Sequence, residues 1–330
     1  MAARLDTPVL GVQDKYEGPN RFRVSMNYRY QYSHRHFVGP EEQRNRAEDR
    51  SQVKNNIQMV EVGLHYNPNP QWSFAVNVPY FDATRSSGLR QNGVVVDRAE
   101  VQASGLGDII LSARRLLWKP LKHPDGNISL GLGVKVPTGD YDVFDDRQRI
   151  VNGQRVFTDE SVDQSIQPGD GGWGALFEVQ YFQRIGKTNG AGYASTTYLA
   201  NPRDTNGTPT FRNNIGEEIM SVSDQYVARA GVSYLGKTWK GLGVSLGGRL
   251  EGVPVEDLIG DSNGFRRPGY AISAEPGVSY IRGPYAFTLA VPIALYRNRT
   301  RSVADRMVPG RHGDAAFADY VILFGWGRKY

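Results

Sequence analysis

The chain has 330 residues, of which 38 are glycine and none cysteine, with a formal net charge of +5 and 39% hydrophobic residues. Without cysteine there is no disulfide framework, thiol nucleophile or cysteine zinc site, and thinly scattered basic residues argue against nucleic-acid binding. Mean hydropathy is −0.48, and no run of ~18 apolar residues marks a membrane-spanning helix. A membrane-spanning β-barrel stays open, because its strands need apolar residues only at alternate positions.

The opening residues Met1-Ala2-Ala3-Arg4-Leu5-Asp6 lack the regions of a secretory signal, so an exported chain is expected to be seen here without its export signal. Residues 1–18 are expected to form a periplasmic tail or a plug, the tail being favoured. Residues 19–330 are expected to form one barrel.

From residue 21 onward, apolar and polar residues alternate over stretches of about ten, the period of a half-buried strand. Strand one sets Phe22, Val24, Met26, Tyr28, Tyr30 and Tyr32 against Arg21, Arg23, Ser25, Asn27, Arg29, Gln31 and Ser33. Strand two opposes Val60, Val62, Leu64 and Tyr66 to Glu61 and His65, and strand three opposes Trp72, Phe74, Val76, Val78 and Tyr80 to Ser73 and Asn77. The fourth is expected near 106–118, the fifth around Ile128 to Val136, and the sixth around Trp173 to Tyr181. The seventh, near 192–200, is weak and its faces cannot be read. The eighth runs from Tyr226 to Tyr234, the ninth from Leu242 to Glu251, and the tenth from Tyr270 to Tyr280. The eleventh runs from Tyr285 to Leu295, and the twelfth ends the chain from Tyr320 to Tyr330.

The links between these strands alternate in length. Short ones follow strands two, four, six, eight and ten. Long polar ones follow strands one (34–56), three (82–104), five (137–167), seven (201–221), nine (252–267) and eleven (297–314). Aromatic residues collect at both ends of the strands, as they do at the two boundaries of a membrane. Together these features predict an all-β fold: a transmembrane antiparallel up-and-down barrel of about 12 strands, with short periplasmic turns and long extracellular loops. Such a barrel belongs in the bacterial outer membrane.

Several segments resemble the outer-membrane family named for the meta-pathway of phenol degradation, a group of predicted transporters. They are Val76-Asn77-Val78-Pro79-Tyr80, Gly105-Leu106-Gly107-Asp108, Val134-Lys135-Val136-Pro137-Thr138-Gly139-Asp140 and Gly169-Asp170-Gly171-Gly172-Trp173-Gly174, in the family's order. The resemblance covers roughly residues 60–330. It implies a barrel that passes small aromatic or hydrophobic compounds.

If the polar faces point inward, the candidate lumen-lining and solute-binding residues are Arg21, Arg23, Arg29, Arg114, Lys135, Arg229 and Arg249, with Glu61, Asp108, Glu178, Glu251 and Glu275. Such mixed charge either orients solutes in a wet path or braces a narrow barrel as an ion-pair network. Small inward residues on strands eleven and twelve (Ala286, Ala290, Ala294, Gly325, Gly327) leave room for the arginines of strand one. The carboxylates of loop 137–167 lack an ordered calcium-ligand series. His34 and His36 lack a third metal ligand nearby, so no metal or cofactor is expected.

No nucleophile constellation points to an enzyme. The expected function is passive uptake of small solutes, aromatic or hydrophobic ones among them, through a charged lumen. The alternative is a plugged structural barrel that binds a partner protein through its loops or turns. Expected contacts are outer-membrane lipid, lipopolysaccharide and the barrel-assembly machinery.

Overall fold

Alternation of this kind has one stable outcome in lipid. The backbone groups of each strand must pair with neighbours, and the last strand must pair with the first, because lipid offers no hydrogen bonds to an open edge. The structure, a computed structural model, describes residues 22–236 and 240–330. Arg21 and the expected N-terminal tail lie outside the described residues.

The described chain forms the closed 12-strand antiparallel barrel that the pattern predicts. Strand one is Phe22–Val38, two is Lys54–Asn69 and three is Trp72–Gln91. Strand four comes in two pieces, Val94–Leu106 and Ile109–Leu116. Five is Gly126–Val136, six Gly174–Arg184, seven Gly190–Ala200, eight Gln225–Leu235, nine Leu242–Val253 and ten Gly269–Arg282. Eleven is again in two pieces, Tyr285–Ala290 and Ile293–Asn298, and twelve is Ala315–Lys329. Each pairs with its neighbours in sequence, and strand twelve closes on strand one from Arg23↔Lys329 to Phe37↔Ala315.

The apolar members of each alternation lie on the outer wall. Leu64, Leu132, Leu246 and Leu295 are 52%, 63%, 59% and 70% exposed. In water that much bare leucine would be costly, at about 25 cal/mol per Å². Against acyl chains it costs nothing. Tyr66, Trp72, Trp118, Tyr181, Tyr234, Tyr280 and Tyr285 are exposed beside the short turns.

The extracellular side departs from the expected links in two places. Residues 82–104 are not a loop: strands three and four continue as a hairpin through Asn92-Gly93, both at positive φ (50° and 83°). Residues 137–167 hold a second hairpin, Phe144–Val151 with Gln154–Ser161, turning at Asn152-Gly153 (52° and 79°). An Asn-Gly pair is the preferred sequence for a two-residue hairpin turn that needs two positive φ values, so both hairpins carried a local signal. Strand seven defied reading for another reason. Its larger residues Tyr193 and Leu199 are buried, while Thr196 is exposed on the outer wall, which inverts the usual alternation.

The outer wall yields a direct prediction. Leu132→Arg places a charge among acyl chains and should destabilise the barrel by about 2–4 kcal/mol if it sits near the bilayer midplane. Denaturant unfolding in liposomes measures it, and an unchanged midpoint would remove Leu132 from the lipid face.

Candidate solute pathway

Among the described residues, the charged side chains named above are largely withdrawn from solvent, and nearly all are engaged with one another. On one side, Arg29 lies 3.2 Å from Glu251, Glu251 accepts from Arg249 Nε at 2.6 Å, Arg249 stands 3.4 Å from Glu275, and Glu275 accepts from Arg229 Nε at 2.8 Å. This chain runs from strand one to strands nine, ten and eight, past the small inward residues of strands eleven and twelve. A Cβ on Gly327 would meet Arg23 Cδ at 3.9 Å. Large side chains thus project across small ones, as the sequence predicts.

Opposite, Arg114 donates twice to Glu178, at 2.6 and 3.0 Å. The pair joins strands four and six across Gly131 of strand five, where a Cβ would come within 2.7 Å of Glu178 Oε2. Glu61 accepts from Asn27 at 3.1 Å, and Arg23 and Ser25 lie within hydrogen-bond range of His65. Charges taken out of water persist only when paired and hydrogen-bonded, and these satisfy one another.

Lys135 and Asp108 do different work. Asp108 accepts the backbone N–H groups of Gly139 (3.1 Å) and Asp170 (3.2 Å), and Lys135 binds Asp170 while standing 3.7 Å from Asp108. Thr138 Oγ1 donates to Gly107 O and accepts from Ile109 N, both at 3.0 Å. Gly107, Gly139 and Gly169 meet so closely that a Cβ on Gly139 would lie 2.8–2.9 Å from the backbone of the other two. The short motifs at 105–108, 134–140 and 169–174 therefore form one knuckle. There strand four breaks, strand five ends and the chain re-enters the barrel before strand six.

The segment that re-enters, residues 161–172, is the feature sequence reasoning missed. Val162 and Ile166 are buried against Ile57, Met59, Phe81, Ala83 and Ala103, inward residues of strands two, three and four. Here apolar side chains face the interior, contrary to the simple rule of polar inside and apolar outside. Gln167 ties the segment to Val143 through its amide, accepting from Val143 N at 3.0 Å and donating to Val143 O at 3.2 Å. Asp163, fully buried, accepts two hydrogen bonds from Arg267 (2.7 and 2.6 Å) and pairs with Arg85 at 3.3 Å. Burial alone would push its carboxyl up, but Arg267 and Arg85 hold it well below the usual carboxylate range.

Other extracellular links lock onto the same segment. Gln164 donates to Ser221 O (2.5 Å), Arg203 to Gly171 O (2.6 Å) and Asn206 to Asp170 O (3.1 Å). A cavity of about 200 Å³ lies on one side of the segment and another of about 70 Å³ on the other, and Arg267 and Ser165 line both. A third, of about 20 Å³, lies by Glu251 and Gln31. The described interior thus holds separate spaces of mixed polar and apolar lining, the first two meeting at Arg267 and Ser165.

A bulge between Ser33 and Arg35 separates His34 from His36. His34 stacks on Tyr32 at 5.0 Å, while buried His36 accepts from Val53 N and sits 2.7 Å from Asp314. Burial pushes the Asp314 carboxyl up, but His36 and Arg46 hold it down at about 2.

Residues 57–151 match the family model described as "Putative MetA-pathway of phenol degradation", a stretch that holds the motifs at 76–80, 105–108 and 134–140 but ends before the one at 169–174. No curated protein matches the chain. Among solved structures, the COG4313 outer membrane channel from Pseudomonas putida F1 aligns over 98% of this chain and 100% of that one, with TM-score 0.61 and 10% identity. The translocator domain of the autotransporter NalP from Neisseria meningitidis has TM-score 0.49 and 10% identity over 96% and 91% of the two chains. The P. putida toluene transporter TodX has TM-score 0.47 and 9% identity over 95% and 91%. At such identities the likeness of the first speaks for the fold, that of an outer-membrane barrel.

Two predictions follow from this geometry. Gly139→Ala forces a Cβ onto backbone that cannot yield and should cost about 1–3 kcal/mol, whereas Gly248→Ala, with nothing within 4 Å, should leave the denaturant midpoint unchanged. Equal midpoints would dissolve the knuckle. The lowered carboxyls of Asp163 and Asp314 contribute stability that is present above the unfolded value of about 3.9 and lost as pH falls. Hydrogen exchange at residues 161–172, corrected for intrinsic rates, should therefore remain slow at pH about 4 and quicken toward pH about 2. Protection that is flat across that interval would count against the clamp.

Proposed function

We propose that this outer-membrane β-barrel, which carries the signature of the phenol meta-pathway family across residues 57–151, is a gated channel for passive uptake of small solutes. The observation that carries the reading is the pair of cavities meeting at Arg267 and Ser165, on either side of a segment held by ion pairs and hydrogen bonds. A barrel built only for bracing has no use for spaces that nearly join. Apolar packing of Val162 and Ile166 keeps the segment in place at rest, and the Asp163 clamp is the part an arriving solute can compete for.

Below the gate, the charged residues Arg23, Arg29, Glu61, Arg114, Glu178, Arg229, Arg249, Glu251 and Glu275 line the route. Their fixed charges orient dipolar solutes such as hydroxylated aromatics. Lys135 and Asp108 contribute by holding the knuckle from which the gate hangs. The barrel-assembly machinery is the partner that inserts such a barrel, and the basic outer loops suit lipopolysaccharide phosphates. The protein catalyses no reaction in this account.

Asp163→Ala leaves Arg85 and Arg267 buried without their carboxylate, which should destabilise the closed arrangement by about 3–5 kcal/mol. In planar bilayers the wild-type protein should show brief stepwise openings, and the variant should stay open for a larger fraction of the time. Silence from both, in samples that are folded and inserted, would favour a plugged structural barrel instead.

A further inference from the structure

The larger cavity, of about 200 Å³, is a partly open space among the extracellular elements and is rich in cationic side chains. Arg46, Arg85, Arg147, Arg212 and Arg267 line it, against Glu160, Asp163 and Asp314. Each of those carboxylates is shared by two basic groups. Asp163 serves Arg85 and Arg267, Glu160 serves Arg147 (3.4 Å) and Arg149 (2.6 Å), and Asp314 serves Arg46 (2.5 Å) and His36. Arg212 has Glu217 at 3.2 Å, so six arginines face four carboxylates. Arg212 Nε is also buried with no hydrogen-bond partner among the described residues.

Crowding acts on the loop arginines. Burial, then the neighbouring Arg267, pushes the Arg212 guanidinium below its ordinary value, and burial with Arg149 does the same to Arg147. Both remain charged at neutral pH. The apolar part of the lining is equally specific. Phe211, with Arg147 stacked 3.7 Å over its ring, joins Val101, Val162 and Ala316 around the space. A cavity of about 150 Å³ holds benzene, so this one has room for a benzene ring bearing one small substituent.

We infer that this cavity is a capture site for small aromatic carboxylates of the benzoate class, seated with the ring among Phe211, Val101 and Val162 and the carboxylate toward Arg147 and Arg212. A guanidinium fork matches a carboxylate geometrically, and the anion restores the charge balance that the lining lacks. A carboxylate there also competes with Asp163 for Arg267, which shares the cavity and the gate. This inference rests on the channel reading, since a capture site at the mouth is useful only where solute passes.

Calorimetric titration of the detergent-folded protein tests it without requiring conductance. Benzoate should bind at one site, with affinity falling as salt rises, and more tightly than benzyl alcohol or acetate by about tenfold or more, since one lacks the charge and the other the ring. Arg147→Gln and Arg212→Gln should each weaken benzoate to a similar degree, with folding verified by circular dichroism. Equal binding of benzoate and benzyl alcohol, acetate matching benzoate, or no benzoate binding would overturn the site. Stepwise openings in bilayers alongside any of those results would leave the channel reading standing, whereas silent bilayers with intact benzoate binding would remove the channel and keep the site.

Discussion

Closing the twelfth strand onto the first settles where every side chain must go. A closed barrel in lipid has no free edge, so each residue faces either acyl chains or an enclosed interior. The outer face is therefore mostly apolar and aromatic, with Thr196 of strand seven an exception. The inner face accepts charge on condition that each charge finds a partner within a few ångströms. The chain meets that condition by placing long side chains opposite glycine and alanine. Arg29 reaches Glu251 past the small residues of strands eleven and twelve, and Arg114 reaches Glu178 across Gly131.

The same economy of space explains the glycine-rich motifs. Read as sequence, Gly107-Asp108, Thr138-Gly139 and Gly169-Asp170 look like ordinary turns. In the fold they are three backbones in van der Waals contact, hydrogen-bonded through Asp108 and Thr138. No residue with a Cβ fits at Gly139 without moving the others. What they produce is a change of direction that sends residues 161–172 into the barrel rather than out to solvent. The proposed gate is thus an outcome of backbone packing, held by the ion pairs of Asp163 and the apolar anchors Val162 and Ile166.

Much of this was legible in the sequence, and the parts that were not have physical reasons. Strand number, the lipid face, the order of short and long links and the inward charges all follow from period-two alternation, which is local. Strand seven was illegible because Tyr193 and Leu199 are buried inside while Thr196 faces outward. The hairpins at Asn92-Gly93 and Asn152-Gly153 were legible in principle, through the positive φ that such turns require. Arg85, Asp163 and Arg267 were not. They lie far apart in the chain and meet only because the knuckle folds one loop inward, and no periodicity reports a contact of that range. The inward apolar patch of Ile57, Met59 and Phe81 was hidden likewise, since only Val162 and Ile166 give it a reason to be apolar.

In the proposed channel, residues 161–172 block the barrel and must move for solute to pass. The chain has no cysteine, so the tether to introduce is a single pair drawn from one apolar cluster, Ala83→Cys with Val162→Cys, its disulfide verified by thiol titration before conductance is read. Bilayer conductance of the tethered protein, measured before and after reductant, is the most direct test. The account predicts silence when the disulfide is formed and stepwise openings once it is reduced; openings of equal size and frequency in both states would contradict it.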